Sequence, residues 1–344
     1  MIGFKKLINA KALYQTQDKI WVAKGMKFFA VDYTGKRVSN VYKVGRLKDR
    51  LLGCHRLSSQ LLRVGLHHLL PLQNGNILVT AKRKTYIFNK NGRVVNVWEG
   101  YQGNKPGHQG VCVAPNGSIF FAEYLLNPNR DHDIHLWRST DNGMTFHVVK
   151  TWKAGDIRHL HFVKWDEYEH CLWLGTGDYG DNGSENRLYR SDDNGDSWKL
   201  IGQYSQDWRA IGVCFTKDAL LWGTDAGSCP DTVHFVRMDR KTHKIEILQD
   251  FEGPCHGCAS FADGRAFFST GVEGGENEKD NYSRMKEYKD GKCENVWKLQ
   301  KDFWPLILQY GVMRFPLGTD QCDRVVFTTM GLKGHGECLM VENK

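Results

Sequence analysis

Two histidines separated by one residue, His159 and His161, stand in a segment whose residues alternate as in a β-strand. Because successive side chains of a strand point to opposite faces, we expect the two imidazoles to lie on the same side. Imidazole takes up and releases a proton near neutral pH, and it is also a common ligand of divalent metals. The pair therefore predicts proton-transfer chemistry or, with His108 or His256 added, a divalent metal site whose metal the sequence does not identify.

Carboxylates and further basic residues stand at the ends of other apolar segments. Two carboxyl groups on either side of a glycosidic bond would suit hydrolysis, whereas a histidine base beside an arginine would suit elimination from a uronic acid. The predicted catalytic residues are His159, His161, Asp178, Glu123, Asp225 and His256. The predicted substrate-binding residues are His67, His68, Lys82, Arg83, His108, Arg209, Glu273 and Arg314.

A repeated element explains how residues so far apart in sequence could be positioned together. A turn followed by a short apolar strand that ends on a small residue occurs seven times, at residues 18–23, 75–80, 117–122, 170–175, 218–223, 264–269 and 323–328. The spacing of roughly 40 to 60 residues is that of a four-stranded propeller blade. The sequence thus predicts an all-β fold, a seven-bladed β-propeller of four-stranded antiparallel blades, with six blades as the alternative.

Two segments, 139–146 and 191–198, share the pattern Ser-x-Asp-x-Gly-x-Thr/Ser-aromatic between two predicted strands. Asp and Asn can cap their own backbone and Gly supplies a positive φ, so each segment is expected to be a hairpin turn. The pattern resembles the Asp-box, or BNR repeat, of sialidase-like β-propellers. The resemblance covers the repeat architecture and not the sialidase active site, because the Phe/Tyr-Arg-Ile-Pro stretch of sialidases is missing from the first repeat and its nearest match, residues 313–316, lies in the last. A true sialidase is therefore not expected.

The last repeat ends after its third strand, and the segment from about residue 3 to residue 8 could supply the fourth. We predict a single propeller domain over residues 1–344, with the ring closed by this N-terminal strand so that no sheet edge stays exposed. In such a ring the loops that carry the candidate residues share one face. They are expected to converge on the central funnel.

The net charge of +8 is spread over 344 residues. It slightly favours acidic partners, and a solvated surface without a polyanionic ligand is an equal alternative. Basic residues form no stripe interleaved with aromatic residues, so no nucleic-acid partner is predicted. No apolar run approaches the roughly 18 residues that a membrane span needs, and no membrane partner is predicted. The first residues lack the apolar core of a signal peptide, which favours a cytoplasmic location.

These observations, with the resemblance to Asp-box propellers, favour a carbohydrate-active enzyme. It would cleave a glycosidic bond in an acidic oligosaccharide or polysaccharide, one that contains a uronic or nonulosonic acid, by elimination or hydrolysis. The alternative is a non-catalytic propeller that binds a glycan or a protein. The two interpretations differ in whether the candidate residues surround an open site or an apolar plug.

Overall fold

The computed structural model describes residues 3–178, 183–225 and 232–342. Within these ranges the chain consists almost entirely of β-strands. In chain order the strands are β1 (Gly3–Asn9), β2 (Lys11–Gln15), β3 (Ile20–Lys24), β4 (Lys27–Val31), β5 (Tyr42–Lys43), β6 (Leu66–Pro71), β7 (Ile77–Ala81), β8 (Lys84–Phe88), β9 (Val94–Trp98), β10 (Val111–Val113), β11 (Ile119–Ala122), β12 (Ile134–Ser139), β13 (His147–Trp152), β14 (His159–Asp166), β15 (Cys171–Gly177), β16 (Leu188–Ser191), β17 (Lys199–Gly202), β18 (Cys214–Phe215), β19 (Ala219–Gly223), β20 (His234–Asp239), β21 (Ile245–Asp250), β22 (Cys255–Ser260), β23 (Ala266–Thr270), β24 (Tyr282–Lys289), β25 (Lys292–Gln300), β26 (Val312–Arg314), β27 (Val326–Met330) and β28 (Glu337–Glu342).

Two short α-helices, α1 (Leu47–Leu52) and α2 (Arg56–Leu61), interrupt this pattern between β5 and β6. Single turns of 3₁₀-helix cover Gln206–Trp208 and Thr319–Gln321. None of the helices in the described part of the chain has the length and apolar character needed to span a bilayer.

The strands form seven four-stranded antiparallel sheets, so the chain is a seven-bladed β-propeller. Each of the seven predicted apolar segments supplies the second strand of a blade, namely β3, β7, β11, β15, β19, β23 and β27. These strands are almost wholly buried, which explains why they read as continuous apolar runs. The predicted fold class is confirmed, with seven blades and not six.

The chain divides into two compact units. The first unit comprises Met1–Leu66 and Val213–Lys344, and the second comprises His67–Gly212. The first unit contains the blades β2–β5, β18–β21 and β22–β25. It also contains the blade whose strands lie in the spatial order β26, β27, β28 and β1. There β1 pairs antiparallel with β28, Gly3 opposite Glu342. The second unit contains the blades β6–β9, β10–β13 and β14–β17. A single domain over residues 1–344 stays a prediction.

Both Ser-x-Asp-x-Gly segments connect the third and fourth strands of a blade in the second unit. In the turn between β12 and β13, Gly143 N donates to Ser139 Oγ at 2.9 Å, and Thr145 N donates to Asp141 Oδ1 at 2.9 Å. The turn between β16 and β17 repeats these bonds with the residues at the same positions of its motif. Gly143 has a φ of 82°, which other residues adopt at a cost. The side chains and the glycine together fix the hairpin.

Candidate functional site

The pair His159 and His161 lies at the start of β14, the first strand of its blade. The pairing of β14 with β15 shifts register between Leu160 and Phe162, so His161 is the extra residue of a β-bulge. Bulges redirect a side chain and are frequent beside active sites. Gly177 makes room for the redirected ring, since a Cβ at that position would overlap the His161 imidazole.

Hydrogen bonds to the backbone fix the tautomer of both imidazoles. His159 Nδ1 lies 2.8 Å from Leu125 O, and His161 Nδ1 lies 2.9 Å from Ala210 O. A carbonyl oxygen can only accept, so each Nδ1 carries the proton and donates it. The two Nε2 atoms then face each other at 3.1 Å. Because two lone pairs at this distance repel, the pair is satisfied when one proton or one cation lies between them.

Asp178, just beyond the end of β15, is the acidic partner of this pair. Its Oδ1 lies 3.2 Å from His161 Nε2 and 2.9 Å from Arg209 Nη2, and its Oδ2 lies 2.7 Å from Arg158 Nη1. Burial alone would raise the pKa of Asp178, but the contacts with the two imidazoles outweigh it and hold the pKa well below the usual range. Asp178 is therefore a carboxylate near neutral pH and cannot serve there as a proton donor.

His159 is held as a neutral base. Its ring stacks on Tyr124, with centroids 4.0 Å apart. Burial lowers the pKa of His159 below its ordinary value, and it prevails over Asp178, which acts in the opposite direction. An imidazole that is neutral at physiological pH, with Nδ1 already donating, presents Nε2 as the proton acceptor.

Arg158 precedes the pair and is itself positioned by several contacts. Its Nε donates to Leu126 O at 2.6 Å, and its backbone N donates to Glu185 Oε2 at 2.8 Å. Glu185 in turn pairs with Arg130 at 2.8 Å. Sequence reasoning missed both Arg158 and Tyr124. The signal that was present is the direct adjacency of Arg158 to His159.

Exposure and charge define the accessible side of this site. The exposed fraction of the side chain falls from 28% for Arg158 to 13% for Asp178 and to 1% for His161. Two guanidinium groups against one carboxylate leave an excess of one positive charge. The site therefore presents an arginine and a carboxylate at its opening and two imidazoles beneath them, an arrangement that suits an anionic ligand.

The same three residues could hold a metal, since their ligand atoms all lie within 4.8 Å of one another. A tetrahedral zinc ion with ligands at about 2.0 to 2.1 Å needs ligand atoms about 3.3 Å apart, close to the spacing found. A second group, Asp166, Glu169 and Cys171, also has the required proximity. There Asp166 accepts hydrogen bonds from Tyr168 N and Trp173 Nε1, which is a structural use of its carboxylate.

Glu123, predicted to be catalytic, has a different environment. It is fully buried, and its carboxylate accepts hydrogen bonds from Gln102 N at 3.0 Å, Trp137 Nε1 at 2.9 Å and His135 N at 2.9 Å. Only its backbone oxygen reaches the histidine strand, where it accepts from Leu160 N at 2.9 Å. We assign Glu123 a structural role, because all three donors would lose their acceptor without it.

Other predicted residues of the second unit lie in the blade β6–β9 or near it. His68 is buried, with Nδ1 2.8 Å from Thr80 Oγ1 and Nε2 2.7 Å from Gly107 O. Lys82 and Arg83 form the tip of the hairpin between β7 and β8, with φ values of 49° and 62°. The remaining two, His67 and His108, are partly buried. Their role in binding a substrate stays a prediction.

Four predicted residues, Asp225, His256, Glu273 and Arg314, belong to the first unit. His256 occupies the extra position of a bulge in β22 and lies over Gly271, as His161 lies over Gly177. Its Nε2 forms an ion pair with Glu273 Oε1 at 2.9 Å. Arg314 donates to the Tyr310 hydroxyl at 2.8 Å, and the Tyr310 ring centroid lies 5.1 Å from that of His256. Among the described residues, each unit thus contains a histidine that lies on a bulge and is paired with an acid.

The His256 ion pair predicts a pH dependence of stability. Burial alone would lower the pKa of His256, but the charges of Glu273 and Asp225 and the nearby Tyr310 raise it to about 10. The unfolded value is about 6.5, so this contribution is complete below about pH 6.5 and is lost as pH rises toward 10. We expect the free energy of unfolding of wild type to fall by a few kcal/mol more than that of Glu273→Gln over this range. Urea unfolding at successive pH values measures the difference, and parallel curves would contradict the assignment.

Comparisons with known proteins agree with the fold. No protein-family model matches the chain, and no curated protein matches it. Solved structures do match along its length. The streptogramin B lyase structure is 16% identical, with 99% of this chain and 97% of that chain covered and a TM-score of 0.57. The WD40 domain of Neurospora crassa Pan2 is 11% identical, with 99% of this chain and 96% of that chain covered and a TM-score of 0.55. A chain of the mitotic checkpoint complex is 10% identical, with 99% of this chain and 91% of that chain covered and a TM-score of 0.59.

At these identities the likeness shows the fold alone. Propellers of this kind host many unrelated activities, so function has to be argued from the site. The class that fold and site define here is a seven-bladed β-propeller whose second unit carries a buried histidine pair beside an arginine-bound aspartate.

Proposed function

We propose that this chain is a carbohydrate-active lyase that cleaves a glycosidic bond in an acidic oligosaccharide or polysaccharide by elimination. The observation that carries the proposal is the pair of Nε2 atoms, 3.1 Å apart, beside two arginines that share one carboxylate. Elimination from a uronic acid needs a base for the proton next to the carboxylate and cations for the charge that develops there. The imidazoles of His159 and His161 supply the base, and Arg158 and Arg209 supply the cations.

In the proposed reaction the Nε2 lone pair of one histidine takes the proton from C5 of the uronic acid. The electron pair of that C–H bond forms the C4–C5 double bond, and the C4–O bond breaks with its electrons on the glycosidic oxygen. The proton held between the two Nε2 atoms passes to this oxygen, so the histidine pair ends with one proton, as it began. The products are an unsaturated uronide and a shortened saccharide, and no water is consumed.

Elimination suits this site better than hydrolysis does. Hydrolysis by the usual route needs two carboxyl groups flanking the bond, one of them protonated. The lowered pKa of Asp178 keeps it ionised, and Glu123 is held by three N–H donors. Asp178 therefore cannot act as the acid, and both oxygens of Glu123 already accept hydrogen bonds. The two turns with the Ser-x-Asp-x-Gly pattern support placing the chain among Asp-box propellers, which include enzymes that act on glycans.

The ligand spacing favours a second candidate, in which a divalent cation replaces the shared proton between His159, His161 and Asp178. The charges oppose it, because Arg158 and Arg209 already bind both oxygens of Asp178, and a dication in place of the proton would add one more positive charge to a positive site. A third candidate is a propeller that binds an acidic glycan through the same arginines and does not cleave it.

A single assay separates these candidates. The purified protein is incubated with a panel of polyuronates, and the unsaturated product is followed by its ultraviolet absorbance and by mass spectrometry in oxygen-18 water. Elimination gives a product that absorbs and contains no oxygen-18. Hydrolysis gives a product that contains one oxygen-18 atom and does not absorb. We expect activity to persist after chelation. Loss of activity with recovery on adding zinc or manganese would favour the metal, and binding without any product would leave the glycan-binding propeller.

A further inference from the structure

A segment of the first unit exposes large apolar side chains to an unusual degree. Residues 303–308 read Phe-Trp-Pro-Leu-Ile-Leu, in the connection between β25 and β26. Phe303 is 91% exposed and Ile307 is 94% exposed. Scattered exposed apolar residues are ordinary, but a contiguous group of them marks an interaction site.

The two α-helices present a second set of exposed apolar side chains. Leu47 and Leu51 in α1, and Leu57 and Leu61 in α2, are each more than half exposed, and so is Leu62. Within each helix the two leucines are four positions apart and therefore lie on one face. No residue of either helix is buried. Both helices thus keep an apolar face in solvent.

Arg56 joins these two segments into one surface. Its guanidinium forms an ion pair with Asp302 at 2.6 Å, donates to Gln309 Oε1 at 2.8 Å and lies 4.5 Å from the centre of the Trp304 ring. Lys301 Nζ lies 2.7 Å from the same Asp302 carboxylate. The start of α2 is therefore fixed to the segment 302–309. The charge of Asp302 is neutralised within the contact.

The surroundings of the leucines are basic. Lys43, Arg46, Lys48 and Arg63 are exposed, and the single acid between residues 43 and 63 is Asp49. Asp49 is used within α1, where its carboxylate accepts from Arg46 N at 3.1 Å. Exposed basic residues therefore flank the exposed leucines along the chain, a combination typical of helices that lie on anionic membranes.

We propose that this apolar and basic surface, formed by residues 43–63 and 302–309, docks on an anionic lipid bilayer. Phe303 and Ile307 would enter the acyl boundary, and Arg46, Lys48 and Arg63 would bind lipid phosphates. Charge complementarity favours a bilayer over a protein partner, and so does the near-complete exposure of two apolar side chains on one connecting segment. This proposal departs from the sequence-based prediction of no membrane partner, which was made because no apolar run is long enough to span a bilayer; surface docking needs no such run.

Flotation of the protein with lipid vesicles tests the inference. Wild type is expected to float with vesicles of phosphatidylcholine and phosphatidylglycerol and not with phosphatidylcholine alone, and raised salt is expected to weaken binding. The double variant Phe303→Asp with Ile307→Asp should lower the partition coefficient by about tenfold or more. Val38→Asp is the matched control, since Val38 is 51% exposed in the same unit but outside the surface. Arg46→Glu with Lys48→Glu should remove the preference for anionic vesicles.

Three results would overturn the proposal. Wild type could fail to float with either vesicle, or the double variant could float as well as Val38→Asp. In the third result, sedimentation shows that wild type is an oligomer and that the double variant is not, while wild type binds no vesicle. In that case the surface is an interface between copies of this chain. None of these outcomes depends on saccharide cleavage.

Discussion

His161→Asn is expected to lower kcat/KM for eliminative cleavage by about 10³-fold, within the range typical of a lost acid–base group. The asparagine amide can still donate to Ala210 O, as His161 Nδ1 does at 2.9 Å. It has no atom that accepts a proton where Nε2 stands. The variant therefore removes the shared proton between the two rings and preserves the backbone contact.

Two companion variants make this result specific. His161→Gln places an amide near the Nε2 position and should be as inactive, because an amide acts neither as an acid nor as a base at neutral pH. His135→Asn is the matched control, a partly buried histidine of the same unit whose ring contacts Thr151 and not the pair. It should retain activity within about twofold, since general acid–base catalysis needs contact with the reacting atoms. Full activity of His161→Asn, with a normal melting temperature, would rule out the histidine pair as the acid–base group.

Much of the architecture could be predicted because it depends on local patterns. The second strand of each blade is buried on both faces, so it reads as a short apolar run between turns, and seven such runs predict seven blades. The turns at Asp141 and Asp193 also use side chains that lie within a few residues of the glycines they support. Information of this kind is contained in short stretches of sequence.

The site was less accessible to sequence reasoning because its contacts are not local. Alternation along β14 predicts that His159 and His161 share a side, but the bulge that redirects His161 depends on pairing with β15. Arg158 reaches Asp178 across 20 residues, and Arg209 reaches it across 31. Asp178 and Arg209 were predicted from their positions at strand ends. That Arg158 binds the same carboxylate as Arg209 could only be seen once the strands were paired.

Glu123 is the opposite case, a residue predicted to be catalytic from its position alone, and that role stays a prediction. It follows the apolar strand β11, as Asp178 follows β15, and strand ends are where propeller sites are expected. The two carboxylates differ in what faces them. Backbone and indole N–H groups surround Glu123, whereas guanidinium and imidazole groups surround Asp178. Nothing in the residues next to Glu123 in sequence distinguishes these environments.

Glu123→Ala is expected to lower the free energy of unfolding by about 3 to 5 kcal/mol, since removing a buried charged acceptor strands its donors. Gln102 N, His135 N and Trp137 Nε1 would all lose their acceptor. Glu123→Gln should cost less, about 1 to 3 kcal/mol, because one oxygen remains as an acceptor. The remaining cost arises because the amide NH₂ then faces an N–H donor. Glu99→Gln, at an exposed ion pair with Lys84, should change stability by about 1 kcal/mol or less.

Measuring stability and kcat on the same Glu123→Gln protein separates a structural carboxylate from a catalytic one. Urea unfolding gives the free energy, and kcat is measured well below the unfolding transition. If Glu123 is structural, the Glu123→Gln protein loses stability while its kcat stays within about threefold of wild type, because Glu123 contacts no reacting group. If Glu123 is catalytic, the kcat of the Glu123→Gln protein falls by about 10²-fold or more with little change in stability. That second outcome would restore Glu123 as an acid or base and return hydrolysis to consideration.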